Sequence, residues 1–473
     1  MPLPSILSDG LNHGKNLPVM ACRNPPRRYL RGILAVAILL RVLVVGFILH
    51  SLGPQGVFSP DTPGYVAPIH NMLHGSFATQ DGPELKRTPG YPVFLMLTGM
   101  ANDHPLLSVS AQVLLACFSV WLVYKIAILL FQDGAAAVLC AGLYAMEPIS
   151  VFYSVLLFAE ALFTAVLLVF LYQLAKYLRV PSWSSLLSAA VALCACVYIK
   201  PVAYYLPVFC AFGLAFLPAS LALPRRLLRG AAFLAVCVVL IGAWQIRNYR
   251  ETGYSGFTSI SDTQLYTYNA AGVLAQKEHL DFFAEQAKLD QASHPEQANW
   301  SLAQKFAFQK HEALRIIEAD PLIYAKLHLR GMATALLDPG GTDMLRHLGL
   351  YPTVGGLESM VVDRGIAKTM LWVLVHRPLV SFVTLAIGAL TAVYYLLAIF
   401  GIPAVYRQRE VFTALVLTAA YFIAVAGGPA GMGRYRYPIM PIVALFAGAG
   451  LARVLRLRRH AGAVNRISTG RGR

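Results

Sequence analysis

Long apolar stretches, separated by short polar turns, dominate the pattern of hydrophobic and polar positions along this chain. A stretch of about 20 apolar residues is what an α-helix needs to cross the hydrocarbon core of a bilayer. In lipid each backbone amide must find its partner within the segment, so these stretches are predicted to be helices. We predict an all-α multi-pass membrane protein with a bundle of about ten transmembrane helices, or between nine and twelve. The predicted spans are 32–52, 106–131, 134–152, 155–175, 185–200, 202–220, 228–246, 379–400, 411–427 and 437–454.

Two polar regions interrupt the predicted bundle. The first loop, 53–105, joins the first two spans, and the outer region, 247–378, precedes the last three. Apolar residues recur with helical spacing at 298–318 and 320–337, so the outer region is predicted to be mainly helical. The predicted organisation is an N-terminal tail (1–31), a transmembrane module that includes the first loop (32–246), the outer region (247–378), C-terminal spans (379–454) and a basic tail (455–473).

The apolar composition of the chain decides how its positive net charge is interpreted. Hydrophobic residues make up 57% of the chain and charged residues 13%, whereas soluble domains carry about 25% charged residues, so a cytosolic enzyme is not expected. The formal net charge of +16 would suggest nucleic acid in a soluble chain. Here the excess Lys and Arg lies in short loops and tails on one side of the bundle. The positive-inside rule therefore places both termini in the cytoplasm and the two polar regions outside, with no nucleic-acid partner.

Several further features refine this prediction. The first apolar run starts after some 30 residues and is long enough to span, so it is not read as a cleavable signal peptide. The N-terminal 25 residues and the segment after Leu457 are predicted to be disordered, with the basic tail on anionic lipid. No internal repeat is evident, which disfavours a transporter built from inverted halves. The cysteines fall in spans or the N-terminal tail and leave no outer disulfide: Cys22, Cys117, Cys140, Cys194, Cys196, Cys210 and Cys237.

The first loop carries two turn-rich, polar-aromatic motifs. Phe58–Tyr65 reads FSPDTPGY and Arg87–Pro92 reads RTPGYP. Asp61, just outside a span and braced by two prolines and a glycine, has the fixed carboxylate that a general base needs to deprotonate an incoming hydroxyl or amine. The alternative is structural, because Ser59 or Asp61 would also serve as the N-cap of a short helix over 62–74.

In this order the motifs resemble the integral-membrane glycosyltransferases of the GT-C superfamily. The nearest branch is the bacterial one that is similar to protein O-mannosyltransferases and aminoarabinose lipid A transferases (glycosyltransferase family 39). The resemblance covers nearly the whole chain. It rests on the first-loop motifs, a short helix ending at His74-Gly75, FAEALF at 158–163, QIRNY at 245–249, DPLIY at 320–324 and RYRYP at 434–438.

The resemblance implies an inverting transfer of a sugar from a polyprenyl-phosphate carrier to an envelope acceptor on the periplasmic face of a bacterial inner membrane. It places Asp61 alone as the catalytic base. Asp81 and Glu84 lie in a looser stretch of the same loop, outside the motif match, and remain possible helpers. The acceptor stays open between lipid A or lipopolysaccharide, polysaccharide and protein. No Asp-X-Asp pattern lies near Asp61. No cofactor and no metal are therefore expected, because basic side chains can stabilise a leaving lipid phosphate.

Five basic residues fall at the predicted outer membrane surface, where a lipid phosphate lies: Arg87, Lys200, Arg247, Arg434 and Arg436. Departure of a phosphate from an anomeric carbon builds negative charge on oxygen, which Arg or Lys stabilises. These residues are the candidates for binding the donor phosphate. The alternative is that they extend to lipid head groups, as long basic side chains near helix ends do.

Three other residues are candidates for a role at the site. Glu160 is predicted to lie at membrane depth, where an ionisable residue is either functional or the partner of a basic residue. Tyr65 and Tyr91 accompany the loop motifs and are candidates for stacking on sugar. Glu147 is expected to be an exposed loop residue.

A metal site is a weak alternative. His70 and His74 are spaced by four on the predicted short helix, so both could face one side and bind a metal together with Asp61. Surface or interfacial histidines are commoner than such a site.

The chain lacks a phosphate-binding GxxxxGK loop, a serine-triad signature and a His-Glu-X-X-His motif, so an ATP-driven pump, a serine hydrolase and a zinc protease are not expected. Two alternatives to a glycosyltransferase remain. One is a transporter or flippase for lipid-linked sugars, and the other is a non-catalytic partner in envelope polysaccharide assembly.

Overall fold

The computed structural model describes residues 27–291, 299–351 and 366–469 and is almost entirely helical. Within these ranges the only strands form a short antiparallel hairpin in the first loop, β1 (Ala78–Thr79) and β2 (Gly82–Pro83). Most of the predicted N-terminal tail, with Cys22, and the last four residues of the basic tail lie outside the described residues.

The helices follow one another along the chain in three groups. The first group is α1 (Arg27–Leu52), α2 (Thr62–Val66), α3 (Ile69–Leu73), α4 (Gly90–Leu97), α5 (Pro105–Phe131), α6 (Gly134–Ala145), α7 (Pro148–Tyr153), α8 (Glu160–Arg179), α9 (Trp183–Ile199), α10 (Leu206–Phe216) and α11 (Leu223–Thr252). The outer region contains α12 (Ile260–Gln264), a π-helical turn (Leu265–Ala270), α13 (Ala271–Glu278), α14 (Phe282–Gln291), α15 (Leu302–Ala319), α16 (Pro321–Leu337), α17 (Gly341–His347) and α18 (Ile366–His376). The last group is α19 (Pro378–Val405), α20 (Arg409–Val425) and α21 (Met440–Thr469). Short 3₁₀ helices cover Pro54–Val57, Met100–Asn102, Pro201–Ala203 and Gly433–Ile439.

The helices confirm the prediction of an all-α multi-pass membrane protein. Six of the described helices are long and apolar enough to cross a membrane, and three more are apolar but shorter. The remaining predicted span, 411–427, corresponds to α20, which has 17 residues. Each predicted span therefore contains a helix.

The third predicted span, 134–152, is broken in the structure. Helix α6 ends at Ala145 and α7 starts at Pro148, which lacks the N–H that a continuous helix needs. Glu147 caps α7, and its carboxylate accepts hydrogen bonds from the backbone N–H groups of Ile149 and Ser150 at 3.2 and 2.6 Å. The expectation that Glu147 is an exposed loop residue is wrong, because it is 1% exposed and its carboxylate is used as a cap.

The fourth predicted span starts at Glu160 instead of residue 155, and the preceding residues 154–159 are not helical. A side chain from another helix donates hydrogen bonds to backbone carbonyl oxygens of these residues. The Gln112 amide donates to the carbonyl oxygens of Ser154 and Leu156 at 3.2 and 2.6 Å. Irregular backbone at membrane depth is stable only where protein buries and pairs it in this way.

Arg41, in the middle of α1, is fully buried and completes this irregular segment. Its guanidinium donates to the Ser154 hydroxyl at 2.9 Å and to the carbonyl oxygens of Ala145 and Ser150 at 3.4 and 3.5 Å. No carboxylate of the described residues lies within ion-pair distance of it. A buried guanidinium is costly unless hydrogen-bonded, so Arg41 and the broken α6–α7 segment depend on each other.

We expect Arg41→Met to lower the thermal unfolding midpoint of the purified protein by several degrees. The side chain keeps its apolar length, but carbonyl groups that Arg41 serves lose a donor, on the order of 1–3 kcal/mol for each acceptor left unpaired. Thermal unfolding in detergent measures the effect. Arg28→Met, at the exposed start of the same helix, is the matched control, and equal midpoints for the two variants would contradict this role.

Close helix packing forms the core at the C-terminal end of the chain. A Cβ atom on Gly401 of α19 would collide with the carbonyl oxygen of Phe446, and one on Gly450 of α21 with that of Leu397. Glycine lets the two backbones approach closely, as is common in membrane bundles. Helix α21 is assigned as far as Thr469, and the prediction of disorder after Leu457 stays a prediction.

The outer region has a small core of its own, formed by Tyr266, Ala270, Val273, Ala313 and Ile316. The two amphipathic stretches predicted from the sequence correspond to α15 and α16. Helix α15 begins with a capping box, in which the Ser301 hydroxyl accepts from the N–H of Gln304 and the Gln304 amide oxygen accepts from the N–H of Ser301. Side chains with this arrangement specify the start of a helix in the sequence itself.

Candidate active site

Five charged side chains from distant parts of the sequence meet at the end of the bundle that carries the first loop. We call Asp61, Arg87, Glu160, Lys200 and Arg434 the ionic cluster. The Asp61 carboxylate pairs with Arg87 at 3.1 Å and with Arg434 at 3.3 Å. Arg434 also lies 3.5 Å from Glu160, which accepts from the Lys200 ammonium at 2.9 Å. The sequence singled out all five residues, and the structure brings them into one chain of ion pairs.

The first loop is fixed to the irregular segment that precedes Glu160. The hydroxyl groups of Ser59 and Thr62 donate to the carbonyl oxygen of Leu157 at 3.1 and 2.9 Å. Asp61 lies between these two residues and is thereby held beside the start of α8. Its side chain makes no capping hydrogen bond to α2, so the interpretation of Asp61 as a helix cap is wrong. Its carboxylate is used by the two arginines instead.

Tyr65 packs against the Arg87 guanidinium, and Tyr91 packs against Tyr65. Its guanidinium lies 4.4 Å from the centre of the Tyr65 ring, and the Tyr65 ring packs edge-on against Tyr91 at 4.8 Å. Tyr91 is fully buried and donates to Gln112 at 2.6 Å, so it has no free face for a sugar. Tyr65 is 7% exposed, and the Arg87 guanidinium covers one face of its ring. Tyr91 therefore has no face open to a sugar in this structure, and the predicted stacking of Tyr65 on sugar stays a prediction.

Glu84 and Arg247 fix the backbone next to Arg87. The Glu84 carboxylate accepts from the N–H groups of Lys86 and Arg87 at 2.6 and 2.8 Å, which fixes the turn before Arg87. The Arg247 guanidinium donates to the carbonyl oxygens of Glu84 and Phe77 at 3.2 and 2.6 Å. Arg247 therefore clamps the β-hairpin of the first loop to α11 and does not join the ionic cluster. Asp81 lies exposed in the turn of that hairpin.

Arg436 does not join the cluster either. It is 1% exposed and donates to the carbonyl oxygens of Asp338 and Pro339. Arg434 and Arg436 lie in the 3₁₀ helix Gly433–Ile439, whose three residues per turn direct them to different sides. Only Arg434 reaches Asp61, and the predicted role of Arg436 in binding the donor phosphate stays a prediction.

The metal-binding alternative finds little support in the described residues. The rings of His70 and His74 face each other edge-on at 5.2 Å on α3. Within the described ranges, no group of three or more His, Cys, Asp or Glu side chains is arranged to hold a metal ion. The six described cysteines are unpaired.

The electrostatics of the cluster favour an anion. Three cations and two carboxylates leave a formal charge of +1. The buried Nε–H of Arg87 has no hydrogen-bond acceptor among the described residues, whereas that of Arg434 lies 3.5 Å from the Glu160 carboxylate without making a hydrogen bond. Buried donors are nearly always paired in proteins, so the Arg87 Nε–H is suited to an oxygen atom of a bound group.

Asp61 is the accessible carboxylate, because its side chain is 33% exposed against 3% for Glu160. Burial alone would raise the pKa of Asp61, but the positive charges of Arg434 and Arg87 outweigh it and hold the pKa below its ordinary value. Asp61 therefore stays ionised and can accept a proton. Burial raises the pKa of the Tyr65 phenol, so that group stays neutral beside it.

We expect Gly90→Ala to disrupt the cluster without touching a charged residue. A Cβ atom at Gly90 would lie 2.7 Å from the carbonyl oxygen of Tyr198 and 2.9 Å from the Cα of Ile199, next to Lys200. Backbone cannot move aside as a flexible side chain does, so α4 and Arg87 would shift away from Lys200. A lower thermal midpoint than for Gly213→Ala, whose Cβ meets nothing within 4 Å, checks this. Equal midpoints would contradict it.

Sequence reasoning missed the glycine-rich segment 426–433 that leads into Arg434. Its backbone packs against α16, where a Cβ atom on Gly331 would collide with Gly428. Asp338, at the end of α16, accepts from the N–H of Gly433 at 2.8 Å. The signal available was the run of glycines beside the RYRYP motif, together with Asp338-Pro339-Gly340-Gly341.

The comparisons with known proteins identify the fold. No protein-family model and no curated protein matches the chain. Among solved structures, the oligosaccharyltransferase of Archaeoglobus fulgidus in the apo form is similar at 13% identity and a TM-score of 0.50. The same archaeal protein, AglB, in complex with an inhibitory peptide and a dolichol-phosphate gives 13% identity and a TM-score of 0.51. Each match covers 93% of this chain and 52% of the archaeal chain.

The chain therefore has the fold of these archaeal oligosaccharyltransferase structures, in agreement with the fold that the motif resemblance to GT-C glycosyltransferases implies. The chain spans about half the length of AglB. ArnT from Cupriavidus metallidurans, solved with undecaprenyl phosphate, matches at 14% identity over 91% of this chain and 79% of ArnT, with a TM-score of 0.39. At these identities the likeness is one of fold, and the roles of the cluster residues stay predictions.

Proposed function

We propose that this protein is a glycosyltransferase that moves a sugar from a polyprenyl-phosphate carrier to an envelope acceptor. The observation that carries the proposal is the ionic cluster, in which an accessible carboxylate lies between two arginines and the buried Nε–H of Arg87 has no acceptor among the described residues. The fold supports the same class of reaction. AglB was solved with a dolichol-phosphate, and a lipid-phosphate carrier is what we propose for this chain.

Arg87, Lys200 and Arg434 would bind the phosphate of the carrier. When the bond between the anomeric carbon and the phosphate oxygen breaks, the electron pair stays on that oxygen. Guanidinium and ammonium groups already in place stabilise the charge as it develops, without a divalent ion. Lys200 and Arg434 are themselves held by Glu160, so the cluster is arranged before the donor arrives.

Asp61 would act as the general base. The acceptor hydroxyl gives its proton to the Asp61 carboxylate, and its oxygen attacks the anomeric carbon from the side opposite the leaving phosphate, which inverts the configuration. Without donor, Arg87 and Arg434 neutralise Asp61 and weaken it as a base. A phosphate that draws these arginines toward itself raises the pKa of Asp61, so binding of the donor would strengthen the base.

The reaction would take place on the periplasmic face of a bacterial inner membrane, with both termini in the cytoplasm. The basic residues at the opposite side of the bundle support this orientation through the positive-inside rule. The outer region would lie over the cluster and select the acceptor. Lipid A or lipopolysaccharide, polysaccharide and protein all remain candidate acceptors.

Release of free polyprenyl phosphate from a panel of polyprenyl-phosphate sugars tests this function. Purified protein in nanodiscs is incubated with each donor, with and without membrane extract as acceptor, in buffer containing EDTA. We expect release that requires acceptor and wild-type Asp61. Asp103→Asn serves as the matched control, because Asp103 is exposed at the end of the first loop and Asn tolerates its left-handed backbone. Binding of the lipid without release would contradict the proposal and favour a transporter or a non-catalytic partner.

A further inference from the structure

We propose that Asp338 is a positioning residue for Arg434, and that it couples the outer region to the phosphate site. The inference rests on the proposed function, since it assigns the element that holds the proposed phosphate ligand in place. Asp338 belongs to none of the motifs that carry the resemblance, and it does not touch the ionic cluster. It acts, in this proposal, through the backbone on both sides of Arg434.

Asp338 makes contacts on either side of Arg434. Its carboxylate accepts from the N–H of Gly433 at 2.8 Å and from the N–H of Gly340 at 2.9 Å. Its backbone carbonyl accepts from the Arg436 guanidinium. The residue before Arg434 and the second residue after it are therefore both anchored to one point at the end of α16.

Gly433 leaves no space between these partners. A Cβ atom there would lie 2.6 Å from the carbonyl oxygen of Asp338 and 3.0 Å from its carboxylate. The close approach lets the carboxylate reach a backbone N–H directly. Hydrogen bonds from a backbone N–H to an ionised carboxylate are among the stronger ones in proteins.

The preceding segment follows the same helix. His328 of α16 makes a 2.9 Å hydrogen bond with the carbonyl oxygen of Ala424, and Gly331 lies directly against Gly428 and Gly431. Glycine carries more backbone freedom than any other residue, so segment 426–433 would sample many conformations on its own. Its contacts with α16 select one of them.

Helix α17 contacts the aromatic ring against which the Arg434 guanidinium packs. Asp343 of α17 accepts a hydrogen bond from the Tyr153 hydroxyl. The centres of the His347 and Phe158 rings are 6.1 Å apart, and the two rings pack edge-on. The Arg434 guanidinium lies 4.4 Å from the centre of that same Phe158 ring. The end of α16 therefore contacts the backbone next to Arg434, and α17 contacts the Phe158 ring against which the Arg434 guanidinium packs.

This arrangement would couple binding of the acceptor to binding of the carrier phosphate. An acceptor that binds the outer region and shifts α16 also shifts Arg434, and with it the affinity for the carrier phosphate. Coupling of this kind is reciprocal, so bound carrier phosphate changes the affinity for the acceptor by the same factor.

A double-mutant cycle tests the positioning role. The affinity for undecaprenyl phosphate is measured in nanodiscs for the wild type, Asp338→Ala, Arg434→Gln and the double variant. We expect Asp338→Ala to weaken binding about tenfold, in line with the loss of a hydrogen bond to a charged group. In the Arg434→Gln background the same change is expected to have no further effect, because Asp338 acts through Arg434. An equal further loss in that background would overturn the proposal.

A second measurement does not depend on lipid binding. Hydrogen exchange of the backbone amides in 426–436 is expected to be faster in Asp338→Ala than in the wild type, with Asp338→Asn between them because it keeps one carbonyl acceptor. Asp320→Ala, at the other end of α16, is the matched control and removes only a surface pair with Lys277. Unchanged exchange in Asp338→Ala would overturn the proposal. A wild-type protein that binds no undecaprenyl phosphate would instead overturn the proposed function, and exchange would still decide whether Asp338 holds the segment.

Discussion

Asp61→Asn is expected to lower sugar transfer by about 10²–10⁴-fold, the usual contribution of a general base, while the protein stays folded. Asn has nearly the same shape as Asp but cannot take the acceptor's proton. The substitution also removes the negative charge of Asp61 that pairs with Arg87 and Arg434, while Arg434 keeps its ion pair with Glu160. We therefore expect the affinity for undecaprenyl phosphate to be unchanged or higher. Turnover and lipid binding are measured on the same preparation.

The control for this variant is Asp103→Asn, which makes the same chemical change in the first loop away from the cluster. Wild-type turnover in Asp61→Asn would contradict the assignment of the base. Loss of turnover together with loss of lipid binding would also contradict it, because that outcome indicates a role in binding the phosphate.

Arg434→Gln is expected to have the largest effect on lipid binding. Arg434 contacts both carboxylates of the cluster, and hydrogen bonds to charged groups contribute about 1.5–3 kcal/mol each. We expect the affinity for undecaprenyl phosphate to fall by about 10- to 100-fold, with a parallel loss of turnover. Arg434→Lys restores the charge without the planar fork and is expected to recover part of the affinity.

The same variant has a predictable effect on pH dependence. Asp61 loses its negative charge only as pH falls through a pKa that lies below the ordinary value of about 3.9 for Asp. The charge of Arg434 is one of the causes that hold this pKa down, together with the charge and the hydrogen bond of Arg87. Its removal raises the pKa of Asp61, so the acid side of the pH profile is expected to move to higher pH.

Arg330→Gln, an exposed change on α16, is the matched control for Arg434→Gln. An equal affinity for undecaprenyl phosphate in the wild type and in Arg434→Gln would contradict the placement of the donor phosphate. A pH profile that stays in place would contradict the electrostatic link between Arg434 and Asp61.

The helices and most of the cluster were predictable from the sequence, for a physical reason. Apolar stretches of membrane-spanning length have few alternatives to a helix in lipid. Charged residues at the ends of such helices are confined to a thin layer, so Asp61, Arg87, Lys200 and Arg434 had to lie at similar depth. Glu160 is a carboxylate at the same depth. An ionised carboxylate there is costly unless it is paired, so cationic partners were expected.

What the sequence did not reveal depends on tertiary contacts. Arg434 and Arg436 look equivalent in the motif, and only the 3₁₀ turn separates their directions. Asp338 lies in a polar region, where one more aspartate carries no signal until Gly433 is seen against it. Arg41 was missed because the mean hydropathy of a strongly apolar stretch stays high when one residue in it is charged. An arginine at membrane depth is nevertheless a sign of a structural or functional role.

The phosphate of a polyprenyl carrier is proposed to bind at the ionic cluster. An electron cryo-microscopy structure of the wild-type protein in nanodiscs with undecaprenyl phosphate tests this placement. We expect phosphate density within hydrogen-bonding distance of Arg87, Lys200 and Arg434, with Arg434 turned from Asp61 toward the phosphate. Phosphate density at the other end of α8, in the cavity of about 440 Å³ lined by Arg179 and Arg407, with the ionic cluster unchanged, would contradict it.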